Sequence, residues 1–435
     1  MASGCDAHFR PHCRVSGYTP PPMVKVRRPA GVLVFAALSA VATHARAQTS
    51  SEPRTIDAAR RTIKGSTRFI GLGGAFVAIA DDTQGVSSNP ASAAVRLPYS
   101  WDAFDYSFGI DLSIATWLPK NDIYNAPEST SSGGGGSLFG SFAVLANYRH
   151  AGFGLGAEAE QNVASQETQG LSTKLTANFG LVRPVMAYGY FDGQLLLGAG
   201  LRIVGFSLGG GQGDVPLTAG IGYTAGLIVK PKLQQFRVGV AIEQPINAEI
   251  ASEPGAPKTM VHIPWTAAFG FAYQFGSRRL NPAFVTVSDR ARRNSAGRKP
   301  TPADEKKAKQ ELFEAYQKDQ TWYLLVSTEL ALIQGGSDLA LGSKHDFNRA
   351  LVSPRLGVES EIIPHYLRLR AGTYLELAAT EDGHSRMHGT GGVDIKLFEW
   401  SIFGLLQPFD YWRLSLAADG AKSYLNTSFS IGFWY

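Results

Sequence analysis

From Tyr99 to the final Tyr435, apolar residues alternate with polar or small ones in stretches of roughly ten residues, a period of two rather than the 3.6 of an amphipathic helix. In the last stretch Leu425, Thr427, Phe429, Ile431, Phe433 and Tyr435 share one face. Tyr424, Asn426, Ser428, Ser430 and Gly432 share the other, and Trp434 interrupts the polar face at its end. The same alternation sets Leu367, Leu369, Ala371, Thr373, Leu375 and Leu377 against Arg368, Arg370, Tyr374 and Glu376. It sets Phe236, Val238, Val240 and Ile242 against Arg237, Gly239, Ala241 and Glu243, and Trp265, Ala267, Phe269, Phe271, Tyr273 and Phe275 against Thr266, Ala268, Gly270, Ala272 and Gln274. A chain patterned in this way folds as sheet.

A soluble sandwich and a membrane barrel both alternate, and they differ in which face meets solvent. In a barrel the apolar face meets lipid and the polar face lines the bore. Long strands, small residues opposite the apolar rows, and aromatics at strand ends (Trp322 and Tyr323, Tyr411 and Trp412, Trp434 and Tyr435) favour the barrel, because aromatic rings settle where one edge is apolar and the other wet. Only a closed sheet leaves no unpaired strand edge in hydrocarbon.

Candidate strands fall near 99–117, 138–148, 152–163, 171–189, 194–208, 216–230, 235–250, 263–275, 321–333, 350–362, 365–379, 389–405, 411–418 and 423–435, about fourteen in all and an even number, as in single-chain bacterial barrels. Tight turns at His150-Ala151-Gly152, Phe191-Asp192-Gly193 and Pro364-His365 are expected on the periplasmic side. The longer polar connections at 118–137, 164–170, 209–215, 251–262, 334–349 and 380–388 are expected outside. The fold class expected is all-β transmembrane: an antiparallel outer-membrane β-barrel of about 14 strands with a small N-terminal hatch.

Composition agrees. Glycine supplies 48 of 435 residues, about 11% against the usual 7% or so. A mean hydropathy of −0.07 excludes a polytopic helical membrane protein, and the aromatic content excludes a wholly disordered chain. Residues 1–47 read as an over-extended start followed by a signal peptide. Met23 is the expected true start, Lys25, Arg27 and Arg28 form the basic region, Ala30 to Ala42 the short apolar core, and Ala45-Arg46-Ala47 the cleavage site. Cys5 and Cys13 both precede the cut, so the mature chain is expected to lack thiols and any Cys metal site. Export to the outer membrane of a Gram-negative bacterium argues against a nucleic-acid partner, despite a pI near 9.0.

The mature domains are then a hatch at 48–97 and a barrel at 98–435, interrupted by an insertion at 277–320 that parity places in the periplasm. It holds eleven Lys/Arg and six Asp/Glu, a balance of +5 equal to that of the whole chain. Thr301-Pro302-Ala303-Asp304 reads as a helix start, with a weak apolar stripe of Ala308, Leu312 and Ala315 on a helix reaching about Lys318. The insertion is either a solvated excursion or a docking surface for an anionic periplasmic partner or the inner face of the outer membrane.

The most specific motif precedes the barrel: Gly71, Gly73, Gly74 and Ala80-Asp81-Asp82, then Asn89-Pro90-Ala91. The glycines do not match a dinucleotide fingerprint and no βαβ unit follows, so no nucleotide cofactor is expected. Asp81-Asp82 has no His or Cys at ligand spacing, so no metal is expected, and tandem Asp before a turn reads as backbone capping. Small residues throughout suit a compact plug.

The run G-L-G-G-A-F-x-A-I-A-D-D…N-P-A resembles the hatch of the FadL/TodX family, outer-membrane transporters of long-chain fatty acids and other hydrophobic compounds, and the PorV-like barrels of the same superfamily carry similar wording. The resemblance implies a monomeric barrel embedded in outer-membrane lipid and plugged by its hatch. A hydrophobic ligand would enter from outside, shift the hatch and leave sideways. Gly71, Gly73, Gly74, Ala80, Asp81, Asp82, Asn89, Pro90 and Ala91 would form the conformational core of the hatch. The Gly/Ser-rich first outer loop and the periplasmic insertion depart from the family.

A carboxylate head group would want an arginine. Arg202, Arg237, Arg355, Arg368, Arg370 and Arg413 face the bore and are candidates, with pairing to Glu243, Glu329, Glu359 and Glu376 as the structural alternative. No G-x-S-x-G elbow accompanies His384 and His388, which read as solvated loop histidines, so catalysis is not expected. Transport of fatty acids or other hydrophobic molecules is the function expected, and a PorV-like role in docking or shuttling partner proteins is the alternative.

Overall fold

The computed structural model describes residues 54–57, 62–96, 101–115, 121–123, 125, 135–168, 171–209, 215–250, 259–295, 297–319, 322–334, 350–377, 384–399 and 411–434. The leader with Cys5, Cys13 and Met23, the terminal Tyr435, and much of the long connections at 118–137, 209–215, 251–262, 334–349 and 380–388 lie outside the described residues. Among the described residues no helix is long and apolar enough to cross a membrane.

Strand β1 (Arg54–Asp57) precedes the short helix α1 (Thr67–Gly71). The first barrel strands are β2 (Phe104–Ala115), β3 (Gly135–Tyr148), β4 (Ala151–Thr168), β5 (Leu171–Tyr190), β6 (Leu195–Gly209), β7 (Val215–Val229) and β8 (Phe236–Glu243). Next come β9 (Ile246–Ile250), β10 (Thr259–Ile263) and β11 (Thr266–Gly276), then helices α2 (Val287–Asn294) and α3 (Pro302–Asp319). The chain ends with β12 (Tyr323–Gln334), β13 (Ala350–Ile363), β14 (Leu367–Glu376), β15 (Arg386–Glu399), β16 (Tyr411–Ala421) and β17 (Tyr424–Trp434).

Fourteen of these strands, β2–β8 and β11–β17, close into an antiparallel barrel. The seam joins β17 to β2 from Thr427↔Ile114 to Gly432↔Gly109. Apart from the seam and the β8–β11 ladder, which skips β9 and β10, each ladder pairs consecutive strands, and closure of β17 on β2 leaves no edge at the seam. Every one of the fourteen expected strands has its counterpart.

The outer face is apolar. Ile110, Phe142, Phe153, Leu155, Met186, Phe269, Leu330, Leu356, Leu369 and Phe429 are exposed there, while Asp111, Glu158, Arg370, Glu359 and Ser428, in the alternate phase of the same strands, are buried in the bore. Phe104, Tyr148, Tyr188, Tyr190, Tyr273, Phe275, Trp322 and Tyr366 gather at the end of the barrel that carries the C-terminus, here termed the terminal end. Towards the other end, a polar ladder crosses the outer face: the Gln161 amide donates to Asn178 (2.9 Å), and Asn178 donates to Ser207 (3.3 Å). Ten residues of β5 separate Asn178 from Tyr188, which at about 3.4 Å per residue and about 40° of tilt gives an apolar band about 25 Å tall. That height matches a membrane-spanning wall.

Two expectations are corrected. The continuous strand at 235–250 breaks into β8 and β9, because Pro245 has no N–H to give to a ladder. The polar loop expected at 251–262 contains most of β10. With β9 and β10 antiparallel and β1 added parallel to β10, the chain makes a separate three-stranded sheet.

The insertion is anchored to the terminal end. Leu280 packs with Phe76, Ile79 and Tyr323 beneath the hatch, and Phe284 lies between His150 and the Arg96 guanidinium. The Trp101 carbonyl accepts from Val287 N–H (2.8 Å), while the Trp101 ring meets Phe313 edge-on. Helix α3 starts as its sequence requires: Asp304 N–H donates to Thr301 Oγ1 (3.3 Å), and Thr301 N–H returns a bond to Asp304 (2.8 Å). Ala291 and Ala308 are buried where α2 meets α3, whereas Ala315, expected in the apolar stripe, is exposed.

Candidate functional site

The hatch, residues 62–96, fills the bore. It is almost free of regular structure, and the wall receives its backbone through glycines. A Cβ at Gly357 or Gly372 would collide with the Leu72 backbone, one at Gly239 with Val77, one at Gly226 with Asn89, one at Gly198 with Pro90 and Ala91, and one at Gly152 with Ala93. These sockets come from β13, β14, β8, β7, β6 and β4, which accounts for much of the small-residue content of the bore face. Gly73 and Gly74 themselves sit at φ 61° and 75°, left-handed values that favour glycine, and a side chain on Gly73 would strike the backbone of Thr373 and Leu356. Gly71 lies against Gly392 and accepts from Thr390 Oγ1 (3.2 Å).

Polar contacts lock the plug. Glu329 Oε2 accepts from the backbone N–H groups of Phe76 (2.9 Å) and Val77 (2.8 Å), and its other oxygen takes Arg355 Nη1 (2.8 Å). Asn89 accepts from Ala91 N–H (3.0 Å), capping the 3₁₀ turn Pro90–Ala94, while its amide donates to Val77 O (3.0 Å) and reaches the wall carbonyls of Leu227 and Val240 (3.3 Å each). Arg68 of the hatch forks onto Glu359 (2.7 and 2.8 Å) and also bonds Asp81.

Asp81 and Asp82 are ion-pair groups, not the backbone caps that tandem Asp suggests. Asp81 also faces Arg237 (3.4 Å); Asp82 accepts from Ser107 Oγ (2.8 Å) and lies 3.9 Å from Arg413. In a bore lined with guanidinium groups, carboxylates are drawn to the cations. Asp82 at φ 60° and Ala80 at φ 29° hold backbone angles that non-glycine residues seldom adopt.

The six head-group candidates are distributed around this lock. Arg202 contacts Glu243 (3.1 Å) and Gln244 O (3.0 Å), and Arg355 contacts Glu329. Arg237 donates to Ile79 O (2.9 Å), Leu280 O (2.9 Å) and Asn281 (2.8 Å), tying hatch and insertion to β8. Arg370 bridges Glu359 (2.5 Å) and Asp394 (2.6 Å), Arg368 faces Asp394 (3.6 Å) with its guanidinium over Trp434, and Arg413 faces Asp82. Buried guanidinium and carboxylate groups in contact offset each other's desolvation, and removing one partner strands the other.

His388 differs from expectation. It is on β15, fully buried, with Nδ1 2.7 Å from Asp419 and Nε2 2.8 Å from Glu376, while Tyr374 stacks on the ring and donates to Asp419 (2.8 Å). It falls in phase with Arg386, Thr390 and Asp394, and that phase was the signal available in the sequence. His384 is exposed.

One part of the bore is apolar. Phe179 and Leu181 of β5 and Val204 and Phe206 of β6 point inward, and the β9–β10 hairpin covers them with Ile246, Ala248, Val261 and Ile263. Asn247, Glu249 and His262 occupy the opposite face of the hairpin, where Asn247 and His262 are hydrogen-bonded (2.6 Å). No signal short of the Pro245 break pointed to this arrangement.

No protein-family model and no curated protein sequence matches the chain. Solved structures do. The CymD monoaromatic hydrocarbon channel superposes with a TM-score of 0.51 at 15% identity, over 86% of this chain and 97% of that one. A TodX monoaromatic hydrocarbon channel mutant, deltaS2S3, gives 0.50 at 11% identity, over 85% and 99%. The Ralstonia pickettii toluene transporter TbuX gives 0.49 at 14%, over 86% and 98%. The chain has the fold of the CymD and TodX barrels, a closed fourteen-stranded antiparallel sheet, an architecture of bacterial outer membranes.

Proposed function

We propose that this stoppered barrel admits hydrophobic small molecules through the outer membrane, holding them in the bore and releasing them sideways past the hatch. The observation that carries the reading is a bore closed by its own N-terminal segment that nonetheless keeps an apolar stripe, Phe179, Leu181, Val204 and Phe206, facing inward. A plugged bore does not suit free diffusion of polar solutes, and an apolar stripe does not serve them. The barrier to a greasy solute is the polar sugar layer outside, and an apolar surface beyond it stabilises the solute by roughly 0.8 kcal/mol per CH₂ without an energy source. The chain is assigned no catalytic step and no cofactor.

Within that reading we favour neutral hydrophobic compounds over fatty acids, because all six bore arginines considered for a carboxylate already face acids or carbonyls. On this reading the terminal end and the insertion face the periplasm, the side that strand parity and the tight turns favour. The test is uptake of labelled toluene and labelled palmitate by cells with and without the gene. Faster toluene entry supports the proposal, and no difference for either compound refutes it.

A second reading rests on the anchored α2–α3 pair, whose exposed Arg292, Arg293, Lys299, Lys306 and Lys307 offer a basic face to an acidic periplasmic protein. Removing residues 287–319 would then abolish a co-purifying partner while leaving uptake unchanged.

A further inference from the structure

Among the described residues, the barrel wall has one strand edge without a ladder beside the apolar stripe. Pairing between β7 and β8 runs from Val229↔Val238 to Thr224↔Glu243 and stops there. β7 continues to Val215, paired with β6 as far as Val215↔Leu208, and among the described residues its 215–223 stretch has no ladder on the β8 side. The chain that would have continued β8 turns inward at Pro245 and becomes the hairpin. Two bonds tie it to the edge, from Gln244 N–H to Tyr223 O (2.9 Å) and from Thr218 Oγ1 to Glu249 O (2.9 Å). Outside, the edge carries Leu217, Ile221 and Tyr223, which are 72, 65 and 62% exposed. Inside, Ile246 is seated over Gly220 and Gly222, where a side chain on either glycine would meet it.

Apolar surface is therefore nearly continuous from the bore stripe, under the hairpin, past two glycines and around the 215–223 edge of β7 to lipid. The base of this route is charge-balanced, with Arg183 and Arg202 against Glu158 and Glu243. We infer that the free edge of β7 is the side port for a neutral hydrophobic ligand, and that the β9–β10 hairpin is its gate, with Ile246 as the residue that holds it shut. The inference rests on the reading of the barrel as a conduit. When the hairpin lifts, Phe179, Leu181, Val204 and Phe206 become the bound surface for the solute, and the polar hairpin face keeps the gate wetted on its other side.

A Cβ on Gly220 would lie 3.9 Å from the Ile246 Cβ, inside the range that a disulfide spans. Gly220→Cys with Ile246→Cys should thus lock the gate under oxidation. The assay is entry of the neutral fluorescent probe N-phenyl-1-naphthylamine into cells with an intact lipopolysaccharide layer. Cells carrying the unaltered protein should take up the probe faster than cells lacking it. The oxidised pair should slow entry at least tenfold towards the gene-less rate, with recovery after reduction and no response to oxidant in either single variant. Ile246→Ser, which loosens the seat without a crosslink, should speed entry.

An oxidised, crosslinked pair that admits the probe at the unaltered rate overturns the gate. So does an unchanged rate in Ile246→Ser if the pair fails to assemble. If the unaltered protein admits the probe no faster than its absence does, the conduit reading fails, and the gate with it.

Discussion

Replacing Glu329 tests how the hatch is held. In the structure one carboxylate oxygen accepts two hatch N–H groups, at 2.8 and 2.9 Å, and the side chain is buried. The bridge to Arg355 joins β12 to β13, so its loss is common to closed and open hatch and cancels between them. What differs is the pair of N–H groups: bonded to an anion when closed, bonded to water when open. A hydrogen bond to a charged group contributes about 1.5–3 kcal/mol.

Two bonds sharing one oxygen belong at the low end, so Glu329→Ala should weaken closure by about 3 kcal/mol, or roughly 10²-fold in the open fraction. Glu329→Gln keeps an acceptor without the charge and should cost about half as much, near tenfold. The readout is the rate at which a membrane-impermeant maleimide labels Ser92→Cys, a buried hatch position. Heat-modifiable gel mobility confirms that the barrel itself has formed. Labelling of the Ala variant within threefold of the parent would refute the role given to Glu329.

Asn89→Ala removes the cap on Ala91 and three carbonyl contacts, and should speed the same labelling by at least about fivefold, since a cap alone contributes about 1 kcal/mol. Gly198→Val places methyl groups on the Pro90–Ala91 backbone and should leave the hatch unseated and the barrel conducting ions in planar bilayers, whereas Gly180→Ala, with nothing within 4 Å of the new carbon, should be silent. At the exposed start of α3, the hydrogen bond from Arg298 and those from Thr301 hold the Asp304 carboxyl below its ordinary range. A depressed carboxylate stabilises the fold above its unfolded pKa and loses that contribution as pH falls through the folded one. Protection of the 303–305 amides, taken relative to their intrinsic exchange rates at each pH, should therefore hold through neutral and mildly acid solution and fall only below about pH 4, while Asp304→Asn lowers it at pH 7.

The barrel was legible because side-chain direction in a strand alternates residue by residue, so the rows at 367–377 and 425–435 report their faces without knowledge of their neighbours. The hatch was legible as small residues and turn formers. The β9–β10 hairpin was not, because its own alternation continues that of β8 and only Pro245 marks the break. β1 is four residues with little apolar content, and its partner lies some two hundred positions away. His388 reads as a loop residue from the sequence because its partners Glu376 and Asp419 become neighbours only through the register of β14, β15 and β16. The destination of each guanidinium depends on the same registers, which lie outside the reach of any one segment.

The glycine sockets also bear on how the molecule is assembled. They are spread over strands that emerge at very different times, yet all grip one segment that is made before any of them. The hatch can thus serve as a mandrel: each new hairpin finds its place on it, and the sheet is wound to the right circumference before β17 reaches back to β2. An enlarged socket would then be felt first as a seam that zips late or at the wrong girth, before any leak could be recorded.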